Sequence, residues 1–121
     1  MALSLVTTLL PAKFTVLGRE MTLTAIRGNE PLWTFTLPNY NFNEHLPATL
    51  TLLVKANADA PDGSAFATLQ GTVIDPANGK FTIQVTTAAT ANPGRFFYKL
   101  MIADAGGGWC MMFGDFVVVN A

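Results

Sequence analysis

Cysteine is nearly absent from this chain: Cys110 stands alone among 121 residues. A lone cysteine excludes an internal disulfide and any zinc site built from several thiolates. Histidine is equally scarce, with His45 its only example. Charge is short too. Charged residues make up 12% of the chain, against ~25% in an ordinary soluble domain. Seven Lys and Arg face eight Asp and Glu, for a net charge of −1. No basic run occurs, so nucleic acid has no electrostatic footprint here. No apolar run reaches the ~20 residues that span a bilayer as a helix.

What is present is apolar: half of the residues are hydrophobic. A chain this small has much surface to cover. With so few charges it either exposes apolar patches or buries them against partners, and partner burial is the expectation. A surface of Thr, Asn and Gly is the bland alternative. The opening segment "MALSLVTTLLPAKF" carries no Lys or Arg before its apolar residues, and Lys13 follows them. A secretory signal needs the positive charge first. The expectation is a protein made in the cytoplasm, with an extended apolar arm over residues 1–18 and one domain over residues 19–121.

The domain reads as strands. In "NEPLWTFTL", Trp33, Phe35 and Leu37 alternate with Leu32, Thr34 and Thr36. In "ATLTLLVKA", Leu50, Leu52 and Val54 share a face. In "KFTIQVTT", Phe81, Ile83 and Val85 do the same. Period-two alternation rich in Thr, Val, Ile and Phe marks half-buried strands. "DPANGK" supplies Pro76 and the Asn78-Gly79 pair for a hairpin turn. "ANPGR" and "DAGGG" are further turns, while "NADAPDG" and "LPNYNFNEHLP" are loops rich in breakers. About seven strands follow, near residues 20–27, 30–37, 48–56, 66–74, 80–87, 95–103 and 109–119. Strands at this spacing predict an all-β sandwich or barrel.

The last two strands break the alternation. "RFFYKLMIAD" places Phe96, Tyr98, Leu100 and Ile102 on one face, and Phe97, Lys99, Met101 and Ala103 on the other. "WCMMF" places Trp109, Met111 and Phe113 opposite Cys110 and Met112. A strand apolar on both faces is covered on both. The expected covers are the arm, Ala2 to Leu10, or a second protein. The turn at Gly106–Gly108 leads into the final strand, and Gly114 allows a bulge that re-aims Phe116.

Chemistry is sparse. A Cys–His nucleophile would need Cys110 and His45 adjacent in space with an orienting group. The expectation is a packed, inert Cys110 and a His45 in a polar loop. The carboxylates flank turns and strand ends, as turn formers do. Asp59, Asp62 and Gly63 lack the spacing of a calcium loop. The triple glycine is followed by a strand and by no Lys-Ser/Thr, so it is no phosphate loop. The expectation is a non-enzymatic chain with no catalytic, cofactor or metal residues.

From Glu20 onward the order of features resembles the immunoglobulin-like N-terminal domain of phage baseplate upper proteins and related phage virion modules. The stretches that carry the likeness are "GNEPLWTFTL", "LPATLTLLVKA", "GTVIDPANGKFTIQVT", "NPGRFFYKLMIAD" and "WCMMFGDFVVV". The resemblance implies an immunoglobulin-like β-sandwich of about seven antiparallel strands. It implies a structural protein of a tailed-phage virion: a capsid decoration (cement) protein, or a tail or baseplate component. Its partners would be other virion proteins and further copies of itself in a symmetric assembly, formed in the host cytoplasm, with no nucleic acid or membrane involved. The interface expected from both lines is Leu3, Leu5, Val6, Leu9 and Leu10 on the arm, with Phe97, Met101, Cys110 and Met112 on the last strands. The alternative is a tail module that binds a host-surface glycan through Tyr40, Phe42 and Trp33.

Overall fold

A computed structural model describes residues 13–15, 20–45, 47–104 and 106–120. These residues are mostly β, with almost no helix. Eight strands form one mixed, curled sheet: β1 (Lys13–Thr15), β2 (Leu23–Ile26), β3 (Leu32–Thr36), β4 (Thr49–Lys55), β5 (Ala67–Asp75), β6 (Lys80–Gln84), β7 (Gly94–Asp104) and β8 (Gly107–Val119). Their order across the sheet is β1-β3-β6-β5-β4-β7-β8-β2. All seven expected strands are present. The eighth, β1, lies inside the segment read as an arm. Two pairings correct the antiparallel expectation: β1 runs parallel to β3, and β2 runs parallel to β8.

Alternation decides what the strands bury. Trp33 and Phe35 on β3, Leu50, Leu52 and Val54 on β4, and Phe81 and Ile83 on β6 all point inward and are buried. Leu32, their out-of-phase neighbour, is 52% exposed. Phe35 stacks on its cross-strand partner Phe81 at 5.3 Å. Trp33 meets Phe116 of β8 at 6.0 Å, although four strands stand between β3 and β8 in the sheet order. The sheet therefore curls until its two halves face each other across the core. Burial of large rings at the contact drives that closure, at about 25 cal/mol per Å² of apolar surface.

β5 is the strand on which the curl turns. Its first half, from Ala67 to Gln70, pairs with β4, and its second half, from Gly71, pairs with β6. Gly71 stands at the changeover. A Cβ there would lie 2.7 Å from Leu50 Cβ, so only glycine leaves the crossing room. The β5–β6 hairpin closes through a 3-10 turn, Pro76–Asn78. Only Gly79 takes positive φ, at 67°. Asn78, expected to share that role, instead donates its amide to Asp75 Oδ2 at 2.9 Å. The strand expected to reach residue 87 stops at Gln84, and Thr87–Thr90 forms a single helical turn, α1. Only Thr and Ala occur from Thr86 to Ala91, with no large apolar residue, so no pleated face holds them in the sheet.

β7 and β8 form a long hairpin with a register shift between Leu100 and Met101. Leu100 opposes Met112 and Met101 opposes Cys110, which leaves Met111 without a partner. That is a bulge, with two residues on one strand against one on the other. It lies at Met111–Met112 and not at Gly114. Gly114 has a different task. Its φ is +150°, and a Cβ on it would sit 2.4 Å from the Met21 carbonyl oxygen. The chain leading into β2 runs parallel beside β8 there, in the register that the Glu20–Phe113 bridge begins, fixed by Met21 N–H to Phe113 O at 2.9 Å and by Tyr98 Oη donating to Met21 O at 2.6 Å. Gly114→Ala combines strain with a backbone clash, so it should cost about 1–3 kcal/mol of unfolding free energy. Gly63→Ala, with open space around it, should be near neutral. Urea denaturation of both variants measures the difference.

Candidate docking surface

The bulge determines which side chains of β8 face out. Cross-strand partners share a face of the sheet. Met112 faces inward with Leu100, and Cys110 faces outward with Met101. Phe113 opposes Lys99 and also faces outward. The extra residue resets the alternation, so Cys110 and Met112 do not share a face, and neither do Trp109 and Phe113. Met112 is 1% exposed and belongs to the core, which removes it from the expected interface. Met111 is buried beside it. Of the other expected contacts, Phe97 and Met101 are half-buried on the outer face, and Cys110 is exposed there. Leu3, Leu5, Val6, Leu9 and Leu10 lie outside the described residues.

Phe113 is the residue that alternation alone hides. It is 40% exposed, and its ring stands 6.2 Å from that of Phe97. Trp109 opposes Ile102 near the hairpin turn and is 43% exposed. The Cys110 thiol donates to the Met112 carbonyl at 3.4 Å. The outer face therefore carries Phe97, Met101, Cys110 and Phe113 as one apolar strip across β7 and β8.

Ion pairs border the strip. Lys55 opposes Phe97, with its ammonium 5.6 Å from that ring's centroid. The ammonium donates to Ala60 O at 2.7 Å and to Asp62 Oδ1 at 2.9 Å, and Lys99 reaches Asp62 Oδ2 at 3.0 Å. Hydrogen bonds from Lys55 and then Lys99 hold the Asp62 carboxyl below the usual carboxylate range. Arg95 pairs with Asp115 on the same side. The loop between β4 and β5 thus folds onto one end of the outer face and buries Lys55. This cover is neither of the two expected, and it leaves Cys110 and Phe113 open.

A second polar group sits at the β7–β8 turn. Asp104, the last residue of β7, has a side chain only 2% exposed. Its Oδ1 accepts the Gly106 N–H at 2.8 Å and its Oδ2 accepts the Tyr40 hydroxyl at 2.9 Å. His45 stacks on Tyr40 at 4.4 Å, with Nδ1 3.4 Å from Asp104 Oδ2. The Gly106 N–H first, then Tyr40, then the charge of His45 hold the Asp104 carboxyl below its ordinary value. Burial, and then the bond to Asp104, push the Tyr40 hydroxyl up to about 12. These contacts pin the loop after β3 to the hairpin turn. His45 and Cys110 have separate partners. Phe42 and Trp33 are buried, so neither offers a ring face to a sugar, and only Tyr40 of the expected glycan contacts is partly exposed.

No group of three or more His, Cys, Asp or Glu among the described residues could hold a metal ion. No helix among them is long and apolar enough to cross a membrane.

No protein-family model matches the chain, and no curated protein matches it. Among solved structures the chain is similar to an uncharacterized protein from Bacillus anthracis str. Ames, known from a 1.4 Å crystal structure. The two are 13% identical, the match covers 88% of this chain and 79% of that one, and the TM-score is 0.40. A likeness of that size carries no argument about fold or function.

Because the folded state lowers the pKa of Asp104, its contribution to stability is present above the ordinary carboxylate pKa of about 4 and is lost as pH falls through the lowered value. Asp104→Asn should therefore melt below the wild type at pH 7, and the gap should begin to shrink below about pH 4 and close only once the pH is under the lowered folded value. Melting curves of both proteins from pH 2 to pH 8 test this.

Proposed function

We propose that the chain is a non-enzymatic docking module, an immunoglobulin-like β-sandwich that binds neighbouring proteins through the outer face of β7 and β8. The observation that carries the docking role is the apolar strip of Phe97, Met101, Cys110 and Phe113, bordered by ion pairs of Asp62 and Asp115. An apolar centre with a charged rim is the anatomy of a protein–protein interface. Phe113, ring-to-ring with Phe97, is the anchor.

The sandwich reading draws on strand order. Divided at β5, the curled sheet becomes β1-β3-β6-β5 against β5-β4-β7-β8-β2. The antiparallel cores of these layers, β3-β6-β5 and β4-β7-β8, follow the chain in the way that strands B-E-D and C-F-G do in immunoglobulin folds. The virion setting rests on the resemblance from Glu20 onward. In it the module is a capsid decoration, tail or baseplate component of a tailed phage, and its neighbours are virion proteins, further copies of this chain among them. A weak contact suffices there, because a symmetric assembly repeats it in every copy.

Light scattering behind size-exclusion chromatography tests the docking face. The wild-type chain should gain mass as concentration rises. Phe113→Glu, which places a charge in the strip, should weaken association at least tenfold, or ~1.4 kcal/mol. A wild-type chain that stays monomeric at every concentration would count against the proposal.

A further inference from the structure

β2 is an end strand of the sheet, and its two sides differ. One side meets β8 in parallel, from Leu23 beside Phe116 to Ile26 beside Val119. A parallel ladder takes its bonds from every second residue of a strand. Met21 N–H donates to Phe113 O at 2.9 Å and Arg27 N–H to Val119 O at 2.8 Å, so the odd-numbered residues turn their backbone toward β8. Thr22, Thr24 and Ile26 therefore turn theirs the other way. No strand among the described residues pairs with that side. The one backbone bond made there among these residues runs from Asn29 N–H to Ile26 O, at 3.0 Å.

Proteins guard such an edge with a proline, a charge or a bulge. From Met21 to Ile26 there is no proline and no charge, and the register to β8 is unbroken. Thr24, in the middle of the edge, is exposed. The charges stand at its two ends, Glu20 before it and Arg27 after it, and both are exposed. Laid antiparallel on itself, the edge sets each Glu20 against the Arg27–Gly28 turn of the other copy. Laid parallel on itself, it would set like charges together. An unrelated strand has to bring that charge pattern with it. A second copy of this chain already carries it.

We infer that β2 adds antiparallel to β2 of a second copy, about a two-fold axis at Thr24, and makes one continuous sheet across the pair. A contact between identical edges is self-complementary and closes at two copies. Thr24 opposes its own mate and exchanges both N–H···O bonds with it. Ile26 opposes Thr22, and each Ile26 N–H donates to the Thr22 carbonyl of the other copy. Main-chain bonds supply the affinity, as they do wherever a strand is added to a sheet edge. The edge is distinct from the strip of Phe97, Met101, Cys110 and Phe113, which lies on the face of β7 and β8. The strip then joins pairs to one another.

Disulfide trapping tests the register, in a Cys110→Ser background so that no other thiol competes. At the axis the two Thr24 Cα atoms stand ~5.5 Å apart, within the reach of a disulfide. The two Thr22 residues are four positions out of register, ~14 Å apart along the strands. On mild oxidation Thr24→Cys should therefore form a disulfide-linked dimer severalfold faster than Thr22→Cys. No dimer from Thr24→Cys, or equal trapping at both positions, would overturn the inference. Light scattering gives a second measurement, in a Phe113→Glu background that silences the strip. Phe113→Glu alone should still dimerise. Adding Thr24→Pro removes an outward N–H without costing β2 a bond to β8. Adding Thr24→Lys sets two like charges face to face on the axis. Either change should weaken the dimer at least tenfold while a cooperative melt is retained. A Phe113→Glu chain that is monomeric at every concentration, or a dimer indifferent to both changes, would overturn the inference. Docking through the strip is read at Phe113 and pairing of the edges at Thr24, so the two proposals fail separately.

Discussion

One unpaired residue on β8 decides which side chains this protein presents to its surroundings. Met111 has no partner on β7, and the register slips by one residue where it sits. Before the slip, Cys110 faces out with Met101. After it, Met112 faces in with Leu100, and Phe113 returns to the outside. Without the bulge, Phe113 would share a face with Trp109. Two methionines suit the place, because an unbranched thioether side chain fills the irregular space a bulge leaves beneath it. The outer strip therefore depends on a local irregularity of the hairpin.

The remainder of the fold holds that hairpin in position. At one end, Asp104 gathers Gly106, Tyr40 and His45, so that the loop after β3 and the hairpin turn are fastened by a nearly buried carboxylate. In the middle, Tyr98 and Gly114 hold Met21 close beside β8. At the other end, Lys55 and Lys99 share Asp62 and bring the β4–β5 loop onto the outer face. A buried lysine is costly to leave unpaired, and its amine here has two acceptors. Each device joins residues far apart in sequence, and each leaves the strip of Phe97, Met101, Cys110 and Phe113 clear.

Much of this architecture is legible in the residues themselves. Trp33 and Phe35, Leu50 and Leu52, and Phe81 and Ile83 alternate with Thr or Lys, so the inward face of β3, β4 and β6 can be read directly. The turns are equally plain, because Pro76, Gly79 and Pro93-Gly94 have few other uses. The bulge is not legible. In "WCMMF" every position is apolar, and alternation has no phase when both faces look alike. β1 is hidden for a related reason, as three residues beside an apolar segment carry no period. The Asp104 cluster left no local signal, since Tyr40 and Asp104 lie 64 residues apart. Strict alternation puts only Cys110, Met101 and Phe97 of the outer strip on that face, sets Phe113 on the face opposite Cys110, and puts Met112 on the same face as Cys110.

A low-charge domain must put its apolar surplus somewhere. Among the described residues it goes to a closed core, to the outward strip bearing the chain's only thiol, and to separate exposed positions such as Leu32, Phe66 and Ile74. Cys110 therefore reports on that strip without any engineered probe. The most direct measurement is its rate of reaction with a water-soluble maleimide, taken across a wide range of protein concentration. The account predicts fast labelling in dilute solution and marked protection as the protein associates. A rate that stays the same while light scattering shows association would mean that the outer face of β7 and β8 is not where these molecules meet.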